Sequence, residues 1–499
     1  MLWLRSCRFN LRTHTSSFHI FQWVSSSKQS TDTHVSQPNQ VQLLSLLRRL
    51  QTRSQLMQIH CQLITSGIHH DQMDKTMMLI WNTLLREYSQ GSFPEEALQL
   101  YKQMQDLSCT FVPTDSITFS FLIKACANLV DPIKGIQLHG HVIKAGFEFH
   151  VYVQTALVNM YSECQFLSEA KRVFSNMHQR NSVTWNVMIT GLTKWGEVDL
   201  ARSLFERMSH RTVISWTGII DGYTRINRPT EALTLFSQMM AEGIKPTSIT
   251  ILSLLPAVSN LGALDIGESI HAYVEKSHCN TSDIRVSNSL IDMYGKCGSL
   301  QNAFGVFDVI AERRNVVSWT SMISALASHG MAREAINQFE EMKAADIKPN
   351  QVTFLSVLNA CSHGGLVDVG MKFFTSMIEE YGILPGIKHY GCMIDMLGRA
   401  GMLDEAEKMV MDMPMKDNVI VWRTLLGACS FHGNVEMGER VMERILEMEK
   451  GYGGDYVLLS NIFARDGRFD EAERVRRSMD EKNVLKVPGI SLVDGKSRI

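Results

Sequence analysis

The sequence predicts an all-α protein, an α-solenoid of paired short helices, and three observations carry that reading. Trp216, Trp319 and Trp422 stand in ISWT, VSWT and VWRT at intervals of 103 residues. IDMYGKCGSL (291–300) returns as IDMLGRAGML (394–403) at the same interval. Each 103-residue cycle then divides into unequal units, 316–350, 351–386 and 387–418, of 35, 36 and 32 residues, and every unit has the pattern of two helices. A fixed period of this kind marks a repeat architecture, in which each unit buries its apolar face only against its neighbours.

The units follow in order. Upstream lie 78–115, 116–150, 151–181 and a short unit, 182–212; then come 213–247, 248–283 and 284–315. Two further related units occupy about 419–452 and 453–487. In 316–350, VVSWTSMISALASHG has helical apolar spacing and stops at Gly330, and the pattern resumes with Ala335, Phe339 and Met342 on one face. The same break, alanine and aromatic recur as Gly196–Ala201–Phe205, Asn227–Ala232–Phe236 and Gly298–Ala303–Phe307. Gly or Asn tolerates the left-handed turn, Ala lets the paired helices approach, and Phe fills the groove beside it. IKPT (244–247) and IKPN (347–350) end units because Pro halts a helix there.

Composition narrows the function classes. The 499 residues are 45% hydrophobic with a net charge of −2, and no run of 18 uncharged apolar residues offers a membrane span. Near-neutral charge by itself argues against a nucleic-acid partner and favours a protein-binding scaffold. The ten cysteines form no CxxC and are expected as small buried hydrophobes, with no metal site. The 29 methionines fit as filler at helix interfaces, and His271, His329 and His363 as packing or capping residues. No nucleophile–base pair or ligand cluster points to an enzyme. Residues 1–40 carry Arg5, Arg8, Arg12 and Lys28, many serines and no acid before Asp32, the composition of a mitochondrial transit peptide, with a chloroplast address as the alternative.

These units resemble a plant pentatricopeptide repeat protein of the subclass with alternating standard, long and short motifs. The resemblance runs from about residue 43 to the C-terminus, and long units carry ACANL…LHGHVIKAG (125–146), IHAYVEKS (270–277) and ACSHGG (360–365). The tail 419–499, with VWRTLLGACSFHGNVEMGE, YVLLSNIFARDGRFDEAERVRRSM and KVPGISLVDGK, resembles the family's E domain. The resemblance implies a right-handed superhelical α-solenoid, a repeat array over 78–418 and a degenerate repeat-like segment over 41–77. In SGIHHDQMDKTMMLIWNTLL (66–85) a long-type ending is followed at once by the next unit's Trp81, as though a short motif were missing near residue 74.

Repeats that each read one base bind single-stranded RNA through two or three side chains per unit. The fifth residue of each standard or short unit is small and polar: Asn82, Thr155, Asn186, Thr217, Asn288 and Thr320. The last residues are, in the same order, Asp115, Asn181, Thr212, Thr247, Asn315 and Asn350. Such residues also favour helix caps, which is the competing explanation for any one of them; six pairs in phase, confined to Asn, Asp and Thr, favour binding. The family's pairing rule implies U for Asn82 with Asp115, A for Thr155 with Asn181 and for Thr320 with Asn350, and C, less often U, for Asn288 with Asn315. It implies a pyrimidine for Asn186 with Thr212 and a purine for Thr217 with Thr247. Leu252 and Leu355 make the long units spacers, and Gly391 with Asn418 is nearly mute. The expected RNA is U-x-A-Y-R-x-C-A-x-x.

Family members with E domains generally specify C-to-U editing sites in organellar transcripts. The resemblance therefore implies an RNA-binding site-recognition factor without catalytic residues, cofactor or membrane. Deaminase-bearing relatives of the DYW type carry HxE and CxxC zinc signatures, neither of which occurs in this sequence, so the deaminase is expected in trans. Alternatives are a factor for RNA processing, splicing, stability or translation, and a protein-binding scaffold.

Overall fold

The computed structural model describes residues 75–481, apart from 92, 107–113, 278–282, 416–417 and 450. The expected transit peptide (1–40), most of the degenerate segment (41–77) and the last stretch of the E-like tail lie outside the described residues. Every regular element among the described residues is helical. The helices run α1 (Lys75–Gln90), α2 (Pro94–Asp106), α3 (Ser116–Leu129), α4 (Pro132–Lys144), α5 (Val151–Glu163), α6 (Leu167–Asn176), α7 (Ser182–Lys194) and α8 (Val198–Glu206). They continue as α9 (Val213–Arg225), α10 (Pro229–Ala241), α11 (Ser248–Leu261), α12 (Leu264–Lys276), α13 (Ile284–Lys296), α14 (Leu300–Val309), α15 (Val316–Ser328) and α16 (Ala332–Ala344). The last are α17 (Gln351–Gly364), α18 (Val367–Glu379), α19 (Ile387–Arg399), α20 (Leu403–Asp412), α21 (Val419–His432), α22 (Val435–Met448), α23 (Gly453–Arg465) and α24 (Phe469–Glu481).

Two compact units divide the chain, Met1–Gly191 and Leu192–Ile499. In the first, α1, α3 and α5 stack in succession, and α2, α4 and α6 lie against their partners. In the second, α9, α11, α13, α15, α17, α19, α21 and α23 stack likewise, each with its own second helix alongside. Odd-numbered helices thus form the inner row of neighbours within each unit, and their first turns meet the turns that end the preceding pair.

Local chemistry explains the pairing. The turn between α15 and α16 places Gly330 at φ 72°, where an L side chain is strained. Asn227 takes φ 57° at the equivalent turn, as Asn tolerates. Behind the turns, Ala201, Ala303 and Ala335 are fully buried, beside buried Phe205, Phe307 and Phe339. Phe205 meets Trp216 edge-on with ring centroids 4.7 Å apart, and Phe307 meets Trp319 at 5.0 Å. The repeated tryptophans are therefore core anchors between successive pairs, a geometry worth roughly 0.5–1.5 kcal/mol beyond area burial.

The inner helices also approach very closely. A Cβ placed on Gly295 would lie 2.6 Å from the Ala325 Cβ, and one on Gly398 would lie 2.6 Å from the Ala428 Cβ. Burial pushes the Cys126 thiol up to about 12 and the Cys361 and Cys429 thiols to about 11, so these cysteines pack as apolar groups. His329 and His432 place Nε2 2.7 Å from the carbonyl oxygens of Gly295 and Gly398, tying each inner helix to the one before it. No helix among the described residues is long and apolar enough to cross a membrane.

Candidate nucleic-acid interface

The stacking brings the fifth residue of one helix pair beside the residue that caps the next pair. Asp115, Thr247, Asn315 and Asn350 are the N-caps of α3, α11, α15 and α17, each in extended backbone. Their side chains satisfy N–H groups that the first helical turn leaves without partners. Asn181 does the same for α7, its Oδ1 accepting from the Thr184 amide at 2.9 Å.

Each of these caps has a second face, turned to the fifth-place side chain. The Asn82 amide donates to both Asp115 oxygens, at 3.3 and 3.2 Å. Asn288 Nδ2 donates to Asn315 Oδ1 at 3.2 Å. At the threonine positions the contact is indirect. Thr155 lies 2.8 Å from the Thr184 hydroxyl, which lies 3.0 Å from Asn181 Oδ1. Thr320 lies 2.7 Å from the Thr353 hydroxyl, which reaches Asn350 at 3.0 Å. Thr217 is joined to Thr247 through Thr250 at 2.7 and 3.1 Å. Within each unit of the chain, then, the sequence pairs Asn82 with Asp115, Thr155 with Asn181, Thr217 with Thr247, Asn288 with Asn315 and Thr320 with Asn350 come together. Asn186 lies on α7 in the first unit and is nearly buried; Thr212 caps α9 in the second.

The hydroxyls of Thr118, Thr184, Thr250, Ser318 and Thr353, at the third place of the following helix pair, are absent from the sequence-based assignment. They are visible in SIT, SVT, SIT, VVS and QVT, yet a hydroxyl there reads as an ordinary capping box. Three arginines immediately precede the capping residue and hold its approach: Arg180, Arg211 and Arg314 donate from Nε to the carbonyls of Phe174, Phe205 and Phe307 at 2.9, 3.3 and 3.0 Å. Their guanidinium groups also cover those phenylalanine rings, at 4.9, 5.0 and 3.8 Å from the centroids.

The hydrogen bonds already made leave each joint a defined remaining capacity. In the Asn82 joint, Asp115 Oδ1 accepts from the Thr118 amide and lies 2.7 Å from the Thr118 hydroxyl, while Oδ2 meets only Asn82. A carboxylate acceptor and one amide N–H are left over. In the Asn288 joint, Asn315 Oδ1 accepts from the amides of Val317 and Ser318 and from Asn288, leaving the Asn315 amide hydrogens as donors. In the Thr320 joint, the hydroxyl proton goes to the Val316 carbonyl at 2.7 Å, so Thr320 offers a lone pair beside the Asn350 amide hydrogens. Among the described residues no cluster of three or more His, Cys, Asp or Glu side chains stands where it could hold a metal ion.

The arrangement defines a helical-repeat solenoid with polar joints at five of the junctions between successive helix pairs. Comparison with known sequences agrees. Models of the PPR repeat match residues 79–109, 155–182, 183–213, 286–314, 352–381 and 388–418, and a model of the PPR repeat family matches 211–260 and 314–363. An E motif matches 432–494. The chain is 49% identical over 463 residues to the Arabidopsis thaliana pentatricopeptide repeat-containing protein At1g09220, mitochondrial, covering 90% of this chain and 92% of the relative. It is 41% identical to At5g48910 of the same plant, another pentatricopeptide repeat-containing protein, over 86% of this chain and 70% of that one. The crystal structure of the pentatricopeptide repeat protein PPR10 from maize aligns with a TM-score of 0.52 at 17% identity, over 95% of this chain and 77% of that one, a likeness of fold. The chain belongs to the pentatricopeptide repeat family and carries the E motif of its E subclass.

Proposed function

We propose that this protein binds single-stranded organellar RNA sequence-specifically and marks cytidines for C-to-U editing by a deaminase supplied in trans. The observation that carries the RNA-reading part is the complementarity left at the joints after internal hydrogen bonds are counted. A carboxylate acceptor beside an amide donor at Asn82 and Asp115 matches uracil, whose N3–H lies between carbonyl acceptors. Amide donors at Asn315 match the N3 acceptor of cytosine. A hydroxyl lone pair beside amide donors, at Thr320 with Asn350 and Thr155 with Asn181, matches adenine N6–H and N1. The string U-x-A-Y-R-x-C-A-x-x follows from the same pairs that the family rule names.

The editing role is supported by the E motif over 432–494. Deamination needs a zinc-activated water and a glutamate acting as acid and base, chemistry that a partner of the DYW type would bring. In this reading the chain is a specificity subunit and not an enzyme. The arginine- and serine-rich first forty residues and the mitochondrial relative support a mitochondrial address.

Transcriptome sequencing of both organelles in a loss-of-function line tests the proposal. One or a few cytidines should lose editing, each with the predicted string a few nucleotides upstream. Unchanged editing with an altered intron or transcript level would overturn the editing role.

A further inference from the structure

Third-place hydroxyls stand only where a polar fifth-place side chain precedes them. Thr118, Thr184, Thr250, Ser318 and Thr353 follow Asn82, Thr155, Thr217, Asn288 and Thr320. Where the preceding fifth residue is Leu252, Leu355 or Gly391, the third place holds Val286, His389 or Val421, and Val153 follows Ser120, whose hydroxyl donates back to the Ser116 carbonyl. A helix cap alone does not explain this pattern. α13 and α21 are capped by Asp283 and Asn418 yet carry valine at the third place, so a cap forms without the hydroxyl. The second bond of each hydroxyl, back to the preceding pair, is what the pattern tracks.

We propose that the third-place hydroxyl is a positioning residue of the preceding reading site, fixing which hydrogen-bonding face the fifth-place side chain turns outward. The role rests on the RNA-reading function proposed above. Thr118, Thr184, Thr250, Ser318, Thr353 and Ser215, the last of which follows Asn186, are at most 1% exposed, whereas Asn82, Thr217, Asn288 and Thr320 are 6–8% exposed. The hydroxyls therefore act through the fifth-place side chain and do not meet RNA themselves.

The position of each hydroxyl proton sets the polarity. An asparagine amide can present either its oxygen or its nitrogen, and nothing within the side chain decides between them. The Ser318 hydroxyl accepts from the Asn315 amide at 3.1 Å, which leaves its own proton to donate. Its nearest acceptor is Asn288 Oδ1 at 2.7 Å. That bond turns the Asn288 oxygen inward and sends an Nδ2 hydrogen outward. Thr118 Oγ1 stands 2.7 Å from both Asn82 Oδ1 and Asp115 Oδ1, and the Asn82 Nδ2 bonds to Asp115 turn that amide the same way. At the threonine sites the polarity is set in the opposite sense. The Thr320 proton is committed to the Val316 carbonyl, so Thr320 accepts from Thr353 and turns a lone pair outward. Thr155 repeats this with the Val151 carbonyl and Thr184. The Ser318 hydroxyl thus makes Asn288 a donor site, while at Thr320 and Thr155 the third-place hydroxyl holds an acceptor site whose polarity the backbone carbonyl sets.

The test measures binding of full-length Ser318→Ala, Ser318→Thr and wild-type protein to synthetic single-stranded RNAs. These carry the predicted string with each of the four bases at the position assigned to Asn288 and Asn315, and a control series varies the position assigned to Thr320 and Asn350. Ser318→Ala is expected to reduce base preference at the first position about three- to tenfold, the worth of one neutral hydrogen bond, and to leave the control position unchanged. Ser318→Thr should keep the wild-type preference. Thr353→Val, melted alongside to establish folding, should relax preference at the Thr320 position instead. Equal weakening for all four bases, or preferences that survive both substitutions, would overturn the positioning role while leaving RNA reading intact. A wild-type protein with no preference at any position would overturn RNA reading itself, and the positioning role with it.

Discussion

Two joints in the second compact unit use the same three places for opposite ends. Between α13 and α15 the fifth, last and third places hold Asn288, Asn315 and Ser318, joined by neutral hydrogen bonds that leave amide hydrogens unspent. Between α21 and α23 they hold Arg423, Tyr452 and Asp455. There Arg423 donates from Nε and Nη2 to the two Asp455 oxygens at 2.9 Å each, and its Nη1 lies 3.1 Å from Glu449. The guanidinium also covers the Tyr452 ring, 4.3 Å from its centroid. The Asp455 side chain is 3% exposed and that of Arg423 21%, so this is a part-buried bidentate ion pair that occupies both carboxylate oxygens. A repeat geometry can thus be kept while its chemistry is closed, and the E-type joint has become a structural clasp.

The largest test of that contrast breaks the clasp. Arg423→Met leaves Asp455 buried without its cation and should cost about 3 kcal/mol, read as a lower denaturation midpoint. Adding Asp455→Leu should recover most of that loss, and base preference upstream should not move in either variant. A close-packing test should treat alike two stretches of the stack, α13 with α15 and α19 with α21. Gly295→Ala and Gly398→Ala each push a methyl to 2.6 Å from an alanine Cβ, so each should destabilise by about 1–3 kcal/mol. Unequal losses would mean that the two regions pack differently.

Asn315→Asp probes the open joint alone. It replaces amide donors with a carboxylate acceptor and should shift preference at that nucleotide from C towards U by about tenfold, measured with paired RNAs. The smallest effect is a pH dependence shared by both compact units. Burial lowers the pKa of His139, bonded to Tyr161 at 2.8 Å, and of His271, bonded to Tyr294 at 2.9 Å. A depressed histidine binds fewer protons folded than unfolded, so stability is present above the unfolded value of 6.5 and falls as pH drops below it. Melting temperature should decline from pH 7 to pH 5, and His139→Phe with His271→Phe should flatten the slope.

The fold was legible because each element leaves a local trace that the repeat then multiplies. A turn residue, an alanine five places on and a phenylalanine four further are weak signals once and strong ones when phased with Trp216 and Trp319. Legibility failed where a residue has two jobs. Asn315 caps α15 and faces Asn288 at the same time, so a capping explanation and a reading explanation predict the same letter. Ser318 was hidden for the same reason: its capping bond is three residues away, whereas its bond to Asn288 spans 30. The Arg423–Asp455 pair, 32 residues apart, becomes meaningful only once the places of the last two units are aligned with those of the polar joints upstream.

The most direct measurement of the central claim is selection of full-length protein against a randomised single-stranded RNA pool, followed by sequencing of the bound fraction. RNA reading through the joints predicts enrichment of U-x-A-Y-R-x-C-A, with unspecified bases opposite the long units and beyond the Thr320 joint. A bound fraction no different from the input pool, or a motif unrelated to the joints, would contradict it.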